Sequence, residues 1–319
     1  MIIIRLSGGL GNQMFQYAFG RSLALRKKTE MKLDLLTCLG KKFKTGTPRD
    51  YRLNVFKIKE NFCTPDELKK VKYGKLGITT KAALWLLGKE FPIHRVKELK
   101  NAILNQFLGK EKPFYAQPIV NERYYYVYDE DILKVGQDVF LQGYWNNEKY
   151  FKNIENVIRQ EFAFRPPPIG KNRELLERIE NCPSVSLHVR RGDYVTDHIT
   201  KKLHHTFTFK YYKEAMRTIE KKVKEPNFFV FSDDIEWVKK NITLDHPTVY
   251  VDHNDDKHSY EDLRLMSACK HNIIANSSFS WWGAWLNPNP DKIVIAPKKW
   301  LNDPKIDTRD VTPKEWIRI

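Results

Sequence analysis

The chain has 319 residues, more than a single hydrophobic core usually supports, so two domains are expected. Its 41% hydrophobic and 13% aromatic residues are typical of a folded protein and exclude extensive disorder. The net charge of +16 favours a polyanionic partner, and charge alone leaves open a nucleotide, a nucleic acid or an anionic membrane surface.

The four cysteines are far apart and show no CxxC or Cys/His spacing, so we expect reduced thiols in a cytoplasmic protein. The N-terminus begins with a strand-like segment and lacks the features of a signal peptide. No apolar run is long enough to span a bilayer.

The first half of the chain begins with a predicted β-α-β unit. A strand over residues 1–6 leads through a glycine-rich turn into an amphipathic helix over 13–28, and a second strand covers 31–36. The apolar stripe of that helix consists of Met14, Phe15, Ala18, Phe19, Ser22 and Leu25. Thr64-Pro-Asp-Glu67 predicts the N-terminus of a further helix, and a short apolar helix is expected over 81–87. Residues 50–112 carry no recognisable motif and are interpreted as a helical insertion.

The second half alternates between strands and helices. A strand over 139–145 and a helix through 154 and 158 precede three prolines at 166–168, which mark a domain boundary. Beyond it, the pattern predicts a parallel, doubly wound sheet. Its strands cover 184–189, 228–231, 248–251, 272–275 and 292–295, and its helices cover 210–224, 235–241, 259–268 and 280–286.

The most informative segment is Val185-Ser-Leu-His-Val-Arg-Arg-Gly-Asp-Tyr194. The strand ends where ligands bind in open α/β sheets, and two guanidiniums at that point can hold a phosphate. Asp193 supplies a possible proton acceptor. A surface Arg–Asp ion pair is the simpler alternative, which the remaining motifs argue against.

Two later strands end in a similar way. Ser232, Asp233 and Asp234 follow one strand, where a carboxylate can accept N–H groups from guanine or cap the next helix. The turn over 276–280 places three serines at a helix N-terminus, which favours an anion. The tryptophans that follow recur at helical spacing and indicate packing.

The remaining patterns are weaker. Gly9-x-Gly11 with Asp34 suggests an NAD site, but Met14 stands where that fingerprint needs glycine, and the turn equally suits an anion, a sugar or a plain tight turn. Asp129-Glu-Asp131 matches a metal-dependent glycosyltransferase pattern but also suits a helix start. We predict no metal site.

Three segments together resemble a known family. They are GGLGNQMFQYAFGRSLA at 8–24, HVRRGDY at 188–194 and NSSFSWWGAWL at 276–286. They closely resemble the α-1,2-fucosyltransferase family, mainly its bacterial members. The segments Val230-Phe-Ser-Asp-Asp234 and Gly143-Tyr-Trp145 are similar to family segments as well.

The resemblance implies an α/β, GT-B-like fold, with two Rossmann-like domains facing each other across a cleft. Residues 1–165, with the helical insertion, would form the acceptor side, and residues 169–319 would bind GDP-fucose. The implied reaction is an inverting, metal-independent transfer of L-fucose from GDP-β-L-fucose to the 2-hydroxyl of a β-galactoside, without a cofactor besides the donor.

By the same resemblance, Arg190 contacts the donor diphosphate and Asn12 lies near the reacting sugar. His188, Asp233 and the turn of Ser278, Phe279 and Ser280 would contact guanine, ribose or phosphate. The strand ends and the glycine turn described above add further candidates for donor binding: Gly9, Gly11, Arg191, Ser232 and Asn276. Asn146 and Asn147 stand where relatives carry Gln-Ser, a departure that bears on acceptor preference.

An inverting transfer also needs a base for the acceptor proton. Asp193 is the first candidate, because it is the only carboxylate within the arginine motif, and Asp197 is the second. Asp193 could instead orient Arg190 or Arg191 by ion pairing.

Three other interpretations stay open. Another nucleotide-sugar glycosyltransferase would use the same motifs, whereas an NAD-dependent reductase leaves the arginine motif without a role. A basic nucleic-acid-binding protein would rest on the charge and on Tyr124-Tyr-Tyr126, but the lysines are scattered and no nucleic-acid-binding motif is present, so no nucleic acid is expected.

The charge also suggests peripheral contact with an anionic membrane at the inner face of the plasma membrane.

Overall fold

Two parallel β-sheets, one in each half of the chain, form the framework of the protein. The computed structural model describes residues 1–36, 38, 50–74, 113–203, 205, 207 and 209–319. Across the first sheet the strands lie in the order 31–34, 2–5, 139–142 and 119–121, and across the second in the order 317–318, 294–296, 271–273, 184–189, 227–232 and 248–251. The predicted α/β class with parallel sheets is confirmed.

The first sheet is built from four short strands: β1 (Ile2–Arg5), β2 (Met31–Asp34), β3 (Ile119–Asn121) and β4 (Val139–Gln142). Ile2 pairs with Met31 on one side and with Val139 on the other. The helices of this half are α1 (Leu10–Arg26), α2 (Pro65–Tyr73) and α3 (Glu155–Glu161), with 3-10 helices at Leu53–Val55, Phe114–Ala116, Glu130–Lys134, Glu148–Tyr150 and Lys152–Ile154.

The second sheet has six strands: β5 (Ser184–Val189), β6 (Asn227–Ser232), β7 (Thr248–Val251), β8 (His271–Ile273), β9 (Val294–Ala296) and β10 (Ile317–Arg318). Its helices are α4 (Gly170–Glu180), α5 (Gly192–Thr196), α6 (His198–Leu203), α7 (Phe209–Glu220), α8 (Ile235–Asn241), α9 (Ser259–Ala268) and α10 (Ser278–Leu286), with a 3-10 helix at Asp256–His258. All six residues of β5 are buried, as expected for a central parallel strand covered on both faces.

Helix α1 differs from the amphipathic helix that the sequence predicts. It is buried around most of its circumference, whereas Leu25 of the predicted apolar stripe is 42% exposed. The polar residues that it buries are hydrogen-bonded: the Gln13 side chain donates to the carbonyls of Gly8 and Asp50, and the Gln16 side chain donates to the Gly143 carbonyl. Five of the six residues of the predicted stripe are buried. The prediction is wrong for Leu25 and for a single buried face, because α1 packs against both the first sheet and α10.

The two halves share a hydrophobic cluster around the tryptophans of α10. Trp282 stacks on Phe151, with ring centroids 5.3 Å apart, and Trp281 lies 4.5 Å from Phe15. The Trp282 indole also donates to the Gly11 carbonyl at 3.0 Å. The tryptophans are therefore packing residues, as predicted, and they fix α10 against the first half. The division at 165 and 169 stays a prediction.

The first half also confirms one local signature. Thr64 caps α2 with a complete capping box: its hydroxyl accepts the Glu67 backbone N–H, and the Glu67 carboxylate accepts that of Thr64. The predicted helix over 81–87 lies outside the described residues, as does much of the predicted insertion.

Candidate active site

A cleft of about 890 Å³ lies between the carboxyl ends of the two sheets. Its walls come from segments that follow β1, β3 and β4 on one side and β5, β6, β7, β8 and β9 on the other. This is where open α/β sheets bind ligands. Most of the predicted site residues line it: Gly9, Gly11, Asn12, His188, Arg190, Ser232, Asp233, Asn276, Ser278 and Phe279.

Arg190 is held in the cleft by a carboxylate from the neighbouring strand. Its Nη1 lies 3.0 Å from Oδ2 of Asp233, and the other Asp233 oxygen accepts the Arg191 backbone N–H at 2.8 Å. A Cβ on Gly192 would come within 2.4 Å of Asp233 Oδ2, so only glycine allows this close approach. Asp233 therefore positions Arg190, a role the sequence reasoning did not assign to it.

Arg191 is placed differently, outside the residues that line the cleft. Its guanidinium packs on the Trp237 ring at 3.6 Å and pairs with Asp234 at 3.3 Å. Asp234 also caps α8 by accepting the Trp237 backbone N–H. One aspartate of the predicted pair is thus a cap, and both form ion pairs with the arginines.

The two candidate bases of the arginine motif lie on short helices. Asp193 is part of α5, which follows Arg190 and Arg191 directly. The Asp197 carboxylate accepts the Thr200 backbone N–H at 2.7 Å and so caps α6. The role of Asp193 stays a prediction.

His188 is a buried, neutral imidazole in the cleft wall. Its side chain is 4% exposed, and burial, with a smaller effect of the Arg190 charge, lowers its pKa to about 3. Its Nδ1 is buried and has no hydrogen-bond partner among the residues that the structure describes. A ligand bound in the cleft could supply the partner that such an atom needs.

The N-termini of α1 and α10 meet at the cleft floor. A Cβ on Gly11 would lie 2.5 Å from the Ser278 carbonyl carbon, so the two helices can approach this closely only with glycine at that position. Gly8 has a left-handed φ of +73°, whereas a Cβ on Gly9 would meet nothing within 4 Å. The positive ends of two helix dipoles therefore converge on one region.

The serine and asparagine side chains of this turn have structural partners. Ser277 caps α10 by accepting the Phe279 backbone N–H, and the Ser280 hydroxyl, which is buried, faces the Ser277 carbonyl at 3.5 Å. The Asn276 amide donates to the carbonyls of His205 and Trp300. Ser280 is thus not among the cleft residues, whereas Ser278 and Phe279 are.

Two carboxylates of the cleft wall were not predicted from the sequence. Burial raises the pKa of both Glu122 and Asp262 to about 7, against the opposing effect of their hydrogen bonds. Glu122 follows the short strand β3, and Asp262 lies in the first turn of α9, where an acid is common in any helix. Neither position carries a sequence signal that separates it from a surface acid.

The residues of the NAD and metal patterns have structural roles. Asp34 pairs with Arg5 at 2.8 Å and is not a cleft residue, and Met14 is fully buried. Asp129 and Asp131 both pair with Arg123. Within the described part of the chain, no cluster of three His, Cys, Asp or Glu side chains is arranged to bind a metal ion. No helix of that part is both long and apolar enough to cross a bilayer.

Comparison with known proteins identifies the family. The whole chain, residues 1–319, matches the family described as Glycosyl transferase family 11, and it belongs to that family. The predicted resemblance to α-1,2-fucosyltransferases is confirmed. The structure itself has the predicted two parallel α/β sheets on either side of a cleft.

Two Escherichia coli relatives match nearly end to end. The chain is 33% identical to an alpha-1,2-colitosyltransferase over 100% of its own length and 99% of that protein. It is 34% identical to the O-antigen biosynthesis glycosyltransferase WbnK, over 98% and 99%. A galactoside alpha-(1,2)-fucosyltransferase 2 from Pongo pygmaeus is 27% identical over 50% of this chain and 48% of that protein.

Among solved structures, the NodZ alpha-1,6-fucosyltransferase soaked with GDP-fucose aligns with a TM-score of 0.47 and 12% identity. The alignment covers 90% of this chain and 92% of that chain.

Proposed function

We propose that the protein transfers L-fucose from GDP-β-L-fucose to the 2-hydroxyl of a β-galactoside, with inversion and without a metal ion. The α-1,2-linked product would belong to a cell-surface glycan or an oligosaccharide. The observation that carries this proposal is the cleft in which Arg190, held by Asp233, lies with the N-termini of α1 and α10. Family membership supplies the reaction class.

The chemistry follows from where charge develops. As the bond between the sugar and the diphosphate breaks, negative charge grows on the leaving phosphate oxygens. A guanidinium cannot lose its proton near neutral pH, and two helix N-termini add backbone N–H groups and partial positive charge. Because Asp233 already fixes the Arg190 guanidinium, little reorganisation is needed during the reaction.

We infer that the purine of the donor is bound by a different carboxylate from Asp233, which the sequence suggests. Asp233 is occupied by Arg190 and the Arg191 backbone, whereas Asp262 lines the cleft and accepts one N–H, from Asn254 at 2.7 Å. We assign guanine recognition to Asp262, since an ionised carboxylate can accept two N–H groups of that ring. GDP affinity should then fall as pH decreases through about 7, and a flat profile would reject the assignment.

A colitosyl donor is the second candidate. The full-length relative named for colitose transfer is 33% identical, against 27% over half the chain for the galactoside fucosyltransferase. Both names specify α-1,2 transfer, so they differ over the sugar that is moved. Parallel assays with fucosyl and colitosyl donors decide between them by their kcat/KM values.

Peripheral contact with an anionic membrane, at the cytoplasmic face, is a further proposal that rests on the net charge of +16. Vesicles with and without anionic lipid test it at low salt. Equal retention by both kinds of vesicle would reject it.

The central assay measures GDP release from GDP-fucose with a panel of β-galactosides, in the presence and absence of EDTA, followed by linkage analysis of the product. We expect galactoside-dependent release that EDTA leaves unchanged and an α-1,2 linkage. Release only after a divalent metal ion is added, or a different linkage, would contradict the proposal.

A further inference from the structure

The carboxylate of Glu122 is fixed in the cleft wall that belongs to the first half. Its two oxygens accept the backbone N–H groups of Tyr144, at 2.7 Å, and of Trp145, at 3.0 Å. Trp145 has a left-handed φ of 58° and a fully buried ring, so the turn that presents these N–H groups has a defined shape. A Cβ on Gly143 would lie 2.4 Å from Glu122 Cβ and 2.9 Å from its Oε2, so this close approach requires glycine.

Among the residues that the structure describes, this carboxylate has no counter-ion. Arg123, its neighbour in sequence, directs its guanidinium to Asp129 at 2.6 and 2.8 Å. Across the part of the chain that the structure describes, Glu122 forms no ion pair. The titratable groups near it are the phenols of Tyr126, Tyr144 and Tyr150. Burial, with a smaller effect of the Glu122 charge, raises the pKa values of these phenols.

The hydrogen bonds from this turn do not by themselves determine the properties of the Glu122 carboxylate. The two N–H hydrogen bonds stabilise the ionised carboxylate and so lower its pKa. Burial has the larger effect and raises the pKa of Glu122 to about 7. Each oxygen keeps a second lone pair for a further donor. Beside Glu122 the cleft presents two aromatic rings, Tyr125 at 54% and Tyr144 at 39% exposure, which offer apolar area to a ligand.

We propose that Glu122 binds the acceptor hydroxyl and takes its proton during transfer. This inference rests on the proposed function. The acceptor oxygen forms a bond to the anomeric carbon, the bond from that carbon to the diphosphate oxygen breaks, and its electron pair leaves with the nucleoside diphosphate. The hydroxyl proton moves to the Glu122 carboxylate. Arg190 and the N-terminus of α10, on the opposite wall, stabilise the leaving group together with the N-terminus of α1.

The test compares pH profiles of kcat/KM for the acceptor, at saturating donor, in the wild type and in Glu122→Gln. Saturating donor at every pH removes the contribution that Asp262 makes to donor binding. We expect the wild-type value to fall about tenfold per pH unit below about 7. Glu122→Gln should lower it by about 10²–10⁴ and flatten the profile. The matched control is Glu130→Gln, an exposed site shortly after Glu122, where both the rate and the profile should stay unchanged.

Stabilisation by GDP in a melting experiment separates a chemical defect from a folding defect. If Glu122→Gln does not fold, Glu122→Asp provides the second variant. Because it keeps a carboxylate, it should keep the fall of kcat/KM below about pH 7, which is the acidic limb of the profile. Three results would overturn the inference. The acidic limb could persist in Glu122→Gln, it could disappear in Asp193→Asn instead, or the wild-type profile could show no limb near pH 7. A wild-type enzyme that releases no GDP with any galactoside would instead reject the proposed function.

Discussion

The two walls of the cleft differ in how their chemistry is encoded. On the second-half wall, the polar groups follow β5, β6 and β8 directly, and the Arg190–Asp233 pair joins the ends of two adjacent strands. On the first-half wall, Glu122 also follows its strand directly, but β3 has only three residues, and the Glu122 carboxylate is held by the turn after β4. One wall is built from the ends of buried strands, whereas the other depends on the packing of a short strand against a turn, so substitutions should affect them differently.

The first way to test this contrast is Asp233→Asn, which should reduce turnover. The neutral amide removes the ion pair, and its single oxygen can accept from either Arg190 or the Arg191 backbone N–H but not from both, so the Arg190 guanidinium is held less firmly. Because hydrogen bonds to charged groups contribute about 1.5–3 kcal/mol, turnover should fall roughly tenfold to a hundredfold. Unchanged turnover with normal GDP binding would remove the positioning role of Asp233.

Gly11→Ala tests the contact between the two helix N-termini. Its Cβ would lie 2.5 Å from the Ser278 backbone, and overpacking of this kind costs about 1–3 kcal/mol. Gly9→Ala is the matched control, since that Cβ would meet nothing within 4 Å. Urea unfolding should show a loss of stability in the first variant only. Equal stabilities would show that the helices can move apart at no cost.

The third variant tests the pH dependence of stability. The pKa of His188 is lowered to about 3 in the folded chain, while the unfolded value is about 6.5. Between these values the unfolded chain binds a proton that the folded chain does not, so stability falls as pH decreases below about 6.5. The contribution reaches at most about 1.4 kcal/mol per pH unit.

His188→Gln should therefore flatten the stability profile between pH 5 and 6.5 in urea titrations. His258→Gln, at an exposed site, is the control. An identical slope in wild type and His188→Gln would mean that His188 is protonated in the folded state.

Much of the fold follows from the sequence because the strands of the second half are long or strongly apolar. The predicted ranges at 184–189 and 248–251 agree with β5 and β7, and the predicted helix at 235–241 agrees with α8. The strands β3 and β10 were missed, since three and two residues carry too little alternation to be recognised. Helix α1 was misjudged because amphipathicity cannot anticipate a second packing partner.

The residues of the site likewise divide into those that the sequence predicts and those that it does not. Arg190 and His188 were found because a strand and a motif place them together. The function of Asp233 as the partner of Arg190 depends on the order of β5 and β6 in the sheet, which the sequence does not specify. Glu122 and Asp262 depend on burial, and burial of a single acid in a loop or helix turn leaves no pattern in the chain.

The measurement that tests the central claim most directly compares GDP release by Arg190→Ala and Arg191→Ala with the wild type. The two side chains are adjacent in sequence, but Arg190 lines the cleft and Arg191 packs on Trp237. We expect Arg190→Ala to lose about 10²–10³ in turnover and Arg191→Ala to lose far less, with both variants still stabilised by GDP. Near-wild-type turnover in Arg190→Ala, or equal losses in both, would contradict the assignment of the cleft as the site of transfer.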